Sequence, residues 1–406
     1  MLDRVSCGDL PAKAHTALRG AGDVLRHEEC FTRAAFDGPY TIVYHEHRPH
    51  VLYPQETPPV VSSSPEPSST IARGWTLPVP TPPSLVKRHF ETGKLSRAAQ
   101  PPLGAREPML SSGQLTIGIS NPSMTDPIYW SNADADELYF IHEGGGVLRS
   151  PLGDVRFEAG DYLYVPKTMV RRFVLGDGQN QRWLVIESTD AIRLPKAFRN
   201  EVGQLRMDAP YSHRDFRRPV FAGPVDEGIR NYVVKRQGAF FSMRFAESPL
   251  DVVGWDGSVY PFVLPISKFE PRVGAVHLPP STHLTFETTD AAICSFVPRP
   301  LDFYPDAVPC PYPHSSVDID EVLYYVSGDF TSRRGVGPGS ISYHPAGIPH
   351  GPHPDAYENS VGAKETSELA VMIDARTPLT VCDGALRVED PGYDQSFSGG
   401  APRKTS

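Results

Sequence analysis

The 406-residue chain has no run of about 18 apolar residues, so no membrane-spanning helix is expected. It also lacks an excess of positive charge. Its 39 Lys and Arg stand against 48 Asp and Glu, a net charge of −9. With no long basic run either, nucleic acid is excluded as a main partner. Cysteine is scarce. Cys7, Cys30, Cys294, Cys310 and Cys382 are scattered, odd in number and form no CxxC pair. A disulfide framework is therefore not expected, and the cytoplasm is the default compartment. The stretch from Met1 to Arg26 carries charges throughout and has no apolar core of a signal peptide.

What the chain does have is punctuation. Its 43 prolines and 34 glycines approach a fifth of all residues. That level fits many short strands joined by tight turns and does not fit a helical bundle. The length favours two to three domains, and 39% hydrophobic residues suffice for a substantial core. The segment 39–45, PYTIVYH, is β-branched and aromatic and reads as a strand. Residues 58–83 are crowded with proline and serine and read as extended and irregular. The polar end of the chain, from about 392, is expected to fray.

Two stretches resemble each other. The first runs NADADELYFIHEG over 132–144, then GDYLYVP over 160–166. The second runs DIDEVLYYVSG over 318–328, then GSISYHP over 339–345. Each has an acidic pair, a strand, a turn glycine, a further hairpin, then Gly, strand and Pro. In the second copy, Gly339, Pro345, Gly347 and His350 reproduce the second cupin motif. The expected fold class is all-β, a bicupin of two double-stranded β-helix (jelly-roll) barrels with a Pro-rich N-terminal segment. The expected organisation is N-terminal strands over 1–57, a Pro/Ser-rich irregular segment over 58–110, a metal-free barrel over 111–240, an iron-binding barrel over 241–391 and a flexible tail over 392–406.

The second copy offers His314, Glu321 and His350. Two neutral imidazoles and one carboxylate on three corners of an octahedron leave three positions open. That is the facial triad of non-haem Fe(II) oxygenases, in which substrate and O2 meet on one metal. Isolated turn histidines and a surface glutamate would be the plainer interpretation. Three ligand types at motif spacing favour metal. Ser316 stands where a second early histidine is usual, which argues for three ligands rather than four. The first copy keeps Glu137, but Trp130 and Arg171 stand in the two histidine positions, so that barrel is expected to hold no metal. His142 reads as a structural histidine.

The segments PHSSVDIDEVLYY (313–325), HPAGIPHGPHP (344–354), DVVGWDG (251–257) and NADADE (132–137) resemble the homogentisate 1,2-dioxygenase family in its bacterial branch. The resemblance runs from about residue 1 to 390 and is strongest over 245–378. It implies Fe(II), O2 as co-substrate, and opening of homogentisate to maleylacetoacetate, a step of tyrosine and phenylalanine breakdown. It further implies His314, Glu321 and His350 as iron ligands, His277 as the acid–base histidine and His344 as a second active-site histidine. The implied partners are a small aromatic acid and further copies of the chain, a homo-oligomer. The family's substrate-contacting tyrosine falls at Phe330, nine residues after Glu321. Arg333 or Arg334 is then a candidate for holding the substrate carboxylate, and one of Tyr324 and Tyr325 faces the pocket. The competing interpretations are a paralogue acting on gentisate or an aminophenol, a non-catalytic metal-binding cupin, and a Mn or Zn isomerase.

Overall fold

The computed structural model describes residues 3–32, 39–49, 52–54, 85–97, 99–178, 180–305, 307–311, 314, 318–330, 332–353 and 356–397. Among them the chain is all-β, with helices no longer than single turns such as Ala356–Asn359 and Asp383–Leu386. It forms two compact units, one of Met1–Thr76, Arg97–Glu107 and Gly118–Pro265, the other of Leu77–Ser96, Pro108–Ile117 and Ile266–Ser406. Both are cupin-type β-barrels, as the repeated motif predicts.

In the first unit, antiparallel strands Phe262–Pro265, Asp161–Val165, Asp136–Glu143 and Arg182–Ser188 lie side by side in that order. Strands Gly153–Glu158, Gly145–Ser150 and Arg172–Leu175 make a second sheet. Alternating side chains turn inward from both. Phe157 and Phe173 from the second sheet meet Trp183 from the first, with ring centroids 5.5 and 5.0 Å apart. Such aromatic pairs add about 0.5–1.5 kcal/mol each beyond the area they bury. A further sheet orders Val5–Gly8, Val252–Gly257, Tyr40–His45 and His27–Thr32. The strand read at 39–45 is therefore present.

The second unit is built on one six-stranded antiparallel sheet. Its order is Leu284–Glu287, Ala291–Phe296, Leu369–Ala375, Asp320–Ser327, Ser340–His344 and Arg88–Glu91. In Asp320–Ser327 every residue but the last is buried. Its odd positions share one face by the two-residue period of a strand. Leu323 and Tyr325 on that face pack with Met372 and Cys294, and Glu321 precedes them on the same face.

Three expected boundaries move. Strands 231–265 belong to the first unit, because Phe262–Pro265 completes its sheet edge and Val252–Gly257 pairs with the N-terminal strands. The break thus falls at 265/266 rather than 240/241. The segment 58–110 is not irregular throughout: Arg88–Glu91 is a sheet strand with Phe90 fully buried, and Arg106–Ser111 is a strand. The Pro/Ser-rich residues 58–83 lie outside the described residues. The tail does not fray from 392. Tyr393 is 2% exposed, and Asp394–Phe397 is a helical turn packed on histidine rings. Residues 398–406 lie outside the described residues.

Candidate metal centre

His314 and His350 form an isolated antiparallel bridge, each backbone N–H donating to the other's carbonyl at 2.8 Å. Such a pair puts both side chains on one side, and the rings stand 4.5 Å apart. Gly347, with φ +88° and open space around it, supplies the left-handed turn that brings the chain back to His350. Glu321 comes from the neighbouring strand. His314 Nε2 and His350 Nε2 each stand 3.9 Å from Glu321 Oε2. One ligand atom from each of the three residues lies within 4.8 Å of the others. A point equidistant from such corners is roughly 2.3–2.5 Å from each, a few tenths of an ångström beyond a metal–imidazole bond.

Two observations test whether a metal fits. His350 Nε2 is buried with no hydrogen-bond partner among the described residues. Its Nδ1 faces the Ile348 carbonyl at 3.1 Å. A proton on Nδ1 fixes the tautomer and leaves the Nε2 lone pair for an ion, the usual second contact of a metal-binding histidine. The donor set of two imidazoles and one carboxylate suits a divalent transition metal.

Glu321 is held from behind. His344 Nδ1 lies 2.7 Å from Glu321 Oε1, and His344 Nε2 lies 3.2 Å from the Tyr393 hydroxyl. Burial pushes the His344 imidazole down to about 4. It is neutral, so Nδ1–H donates to Glu321 and Nε2 accepts from Tyr393. Arg333 Nη2 is 3.5 Å from Glu321 Oε1. Burial alone would raise the Glu321 carboxyl; His344, Arg333 and His350 outweigh it and hold the group at about 2. Asp374 stands opposite Glu321 in the strand pairing, and burial plus the Glu321 charge push its carboxyl up to about 7.

His314 and Glu321 open onto a cavity of about 290 Å³. His277 lines it, as expected, with Nδ1 3.8 Å from Asp302 Oδ2. Burial lowers its pKa. Arg333 also lines the cavity, but its Nη1 donates to Gly351 O at 2.5 Å and its Nη2 faces Glu321. Those contacts make it a support for the carboxylate rather than an open anion receptor. His344 does not line the cavity; it is wholly buried behind Glu321. Phe330 is not at the wall either. It packs on the Leu323, Tyr325 and Met372 cluster, its ring 4.9 Å from Tyr325. Tyr325, not Tyr324, shares the Glu321 face, and its hydroxyl is 2.9 Å from Ser342 Oγ. His353 is buried, with Nε2 2.6 Å from Ser396 Oγ, a structural role. Ser316 lies outside the described residues. Sequence reasoning missed His283, Arg299 and Glu368, all in the cavity wall, because no motif spacing marks them.

The first unit repeats this frame without the ligands. Trp130 and Arg171 form the isolated bridge, and Glu137 pairs with Val165 as Glu321 pairs with His344. The Arg171 guanidinium lies 3.4 Å from the centre of the Trp130 ring and ion-pairs with Glu137. Arg106 Nη2 adds a contact to Glu137 at 2.6 Å, and Lys235 Nζ reaches Glu187 at 2.5 Å. Built-in cations stand where the other unit offers an ion site. His142 is half-buried at the strand end, lowered to about 4 by burial.

A model of the homogentisate 1,2-dioxygenase N-terminal region matches residues 104–266. A protein of Saccharolobus solfataricus named "putative dioxygenase" is 33% identical over 395 residues, 96% of this chain and 97% of its own length. The chain belongs to the homogentisate 1,2-dioxygenase family. Family members named homogentisate 1,2-dioxygenase include one from Rhizobium etli, 30% identical over 290 residues, and one from Nitrobacter hamburgensis, 28% identical over 279 residues. The matches cover 62% and 60% of those two proteins. The family model falls on the first unit, whereas the motif resemblance is strongest in the other.

Proposed function

We propose that this family member is a non-haem Fe(II)-dependent dioxygenase that opens the ring of homogentisate with O2 to give maleylacetoacetate. One observation carries the reading: His314, Glu321 and His350 converge, the first two in a cavity wall, with His350 Nε2 buried and unpartnered among the described residues. Iron held by these three residues would supply Lewis acidity and a route for electrons to O2.

The chain's own residues do the rest. His344, Arg333 and Tyr393 keep the Glu321 carboxylate ionised and pointed. His277 is neutral near pH 7 because burial lowers it, so it is available to take a proton from a ring hydroxyl. Asp302 beside it stabilises the imidazolium that results. Leu323, Met372 and Phe296 give the ring an apolar wall and exclude water. No helix among the described residues is long and apolar enough to cross a membrane. Its scattered cysteines fit the cytoplasm, and the family resemblance supports a homo-oligomer; both are proposed.

The test is O2 uptake by anaerobically Fe(II)-loaded protein given homogentisate, with product absorbance followed in parallel. One-to-one uptake and product, both abolished in His350→Ala, is the expected result. Iron binding without uptake would overturn the homogentisate assignment. A second reading is a paralogue for gentisate or an aminophenol, because the position of the family's substrate-contacting tyrosine holds Phe330, which packs in the core and gives the cavity no hydroxyl. The same assay with those substrates decides between the two.

A further inference from the structure

The cavity wall carries three arginines, Arg299, Arg333 and Arg334, and three glutamates, Glu321, Glu365 and Glu368. The bare lining is balanced. A divalent cation at the triad leaves a surplus of positive charge, so the loaded cavity favours an anion. Arg333 is committed to Glu321 and Gly351. Arg334 is exposed. Arg299 differs from both.

Its side chain is 12% exposed and its Nη1 donates to the Val297 carbonyl at 3.0 Å. The nearest carboxylate, Glu368, stands 3.9 Å from Nη2, beyond hydrogen-bond reach. No other hydrogen bond engages the guanidinium among the described residues. A buried guanidinium has five donors in a planar fork matched to a carboxylate. Here most of that fork is unused at a cavity wall. The Phe296 ring, 5.5 Å from Cζ, backs it. His283 lies beside it, 5% exposed, with Nδ1 buried and unpartnered. Burial first, and then the Arg299 charge, keep His283 neutral, lowered to about 3. His277 feels the same charge. Arg299 and His283 thus stand together in the wall of the cavity that His277, His314 and Glu321 also line.

We infer that Arg299 is the receptor for the carboxylate of an aromatic acid substrate, with His283 a neutral hydrogen-bonding neighbour. The inference rests on the ring-cleaving reading and names the group that selects its substrates. A carboxylate at Arg299 replaces a pairing that the 3.9 Å separation leaves weak. It also holds the ring in the same cavity that His277, His314 and Glu321 line. An aromatic without an anionic group loses this contact and nothing else.

The test compares 2-hydroxyphenylacetate with its methyl ester, both titrated calorimetrically into anaerobic Fe(II)-loaded protein. The wild type should bind the acid at least tenfold more tightly than the ester. Arg299→Gln should lose that preference by weakening the acid alone, and Arg299→Lys should restore part of it. Equal affinity for acid and ester in the wild type, or a preference intact in Arg299→Gln, overturns the inference. Unchanged ester affinity in the variants, with unchanged iron content, shows that the cavity survives. Oxygen uptake is read separately. A carboxylate preference that depends on Arg299, without uptake on any dihydroxyaromatic acid, supports the anion site and sinks the ring-cleaving reading. Uptake without the preference sinks the anion site alone.

Discussion

Arg171 occupies in the first unit the place that His350 occupies in the second. Each closes an isolated bridge with a residue seven positions before a buried glutamate, Trp130 with Glu137 and His314 with Glu321. One chain thus carries two solutions to the same problem, a carboxylate buried inside a barrel. The first neutralises it with Arg171 and Arg106, and the second, under the proposed reading, shares it between Arg333, His344 and an ion. Arg171→Met removes the cation and leaves Glu137 to Arg106 and the Asn132 amide. Breaking one partner of a buried pair costs about 3–5 kcal/mol, so chemical denaturation should show a loss of that order. Iron stoichiometry should stay the same, and a fall in it would contradict the assignment of the metal to the second unit.

The second solution predicts metal-dependent stability. Without an ion, His350 Nε2 is a buried acceptor with no hydrogen-bond partner among the described residues. Adding Fe(II) or Zn(II) to stripped protein should raise the melting temperature in proportion to metal occupancy. His350→Ala and Glu321→Ala should show no such rise. A metal-induced rise that persists in both variants would place the ion elsewhere.

Much of this centre was legible in sequence because the cupin motif fixes spacing within single hairpins. Gly347 and His350 lie on one turn, and Glu321 begins one strand. What spacing could not reveal is contact between distant segments. Tyr393 reaches His344 across 49 residues, and Arg299 enters the wall from a strand end with no motif of its own. The polar composition after 392 hid a buried tyrosine, since a fraying tail and a packed turn share the same residue types. The Phe90 strand was absorbed into a Pro-rich neighbourhood for a similar reason, because its four residues carry too short a pattern.

The Tyr393–His344–Glu321 chain predicts a graded loss. Residues that orient a metal's ligands typically cost 10–100-fold in affinity when removed. His344→Leu should weaken Fe(II) binding by about that range. Tyr393→Phe, which removes only the outer hydrogen bond, should cost less than His344→Leu while leaving the fold intact. Equilibrium competition with a chelator measures both. Equal affinities in all three proteins would separate His344 from the metal.

His45 offers a pH signature far from this chemistry. Its Nδ1 is 2.7 Å from Asp251 Oδ1 and its Nε2 is 3.0 Å from Glu29 Oε2. Burial alone would lower the imidazole, but the two carboxylates outweigh it and raise it to about 9. A histidine raised on folding contributes its full stability below its unfolded value, near 6.5, and loses it as pH rises through 9. Asp251 is held below its ordinary value, with His45 outweighing the opposing effect of burial. Its contribution is lost only as pH falls into the acid range. The pair should therefore be worth about 3 kcal/mol near pH 6 and much less near pH 10. Urea denaturation of the wild type and His45→Gln at the two pH values should show a gap that narrows with rising pH. A gap independent of pH would mean that His45 acts by packing and not as an imidazolium between carboxylates.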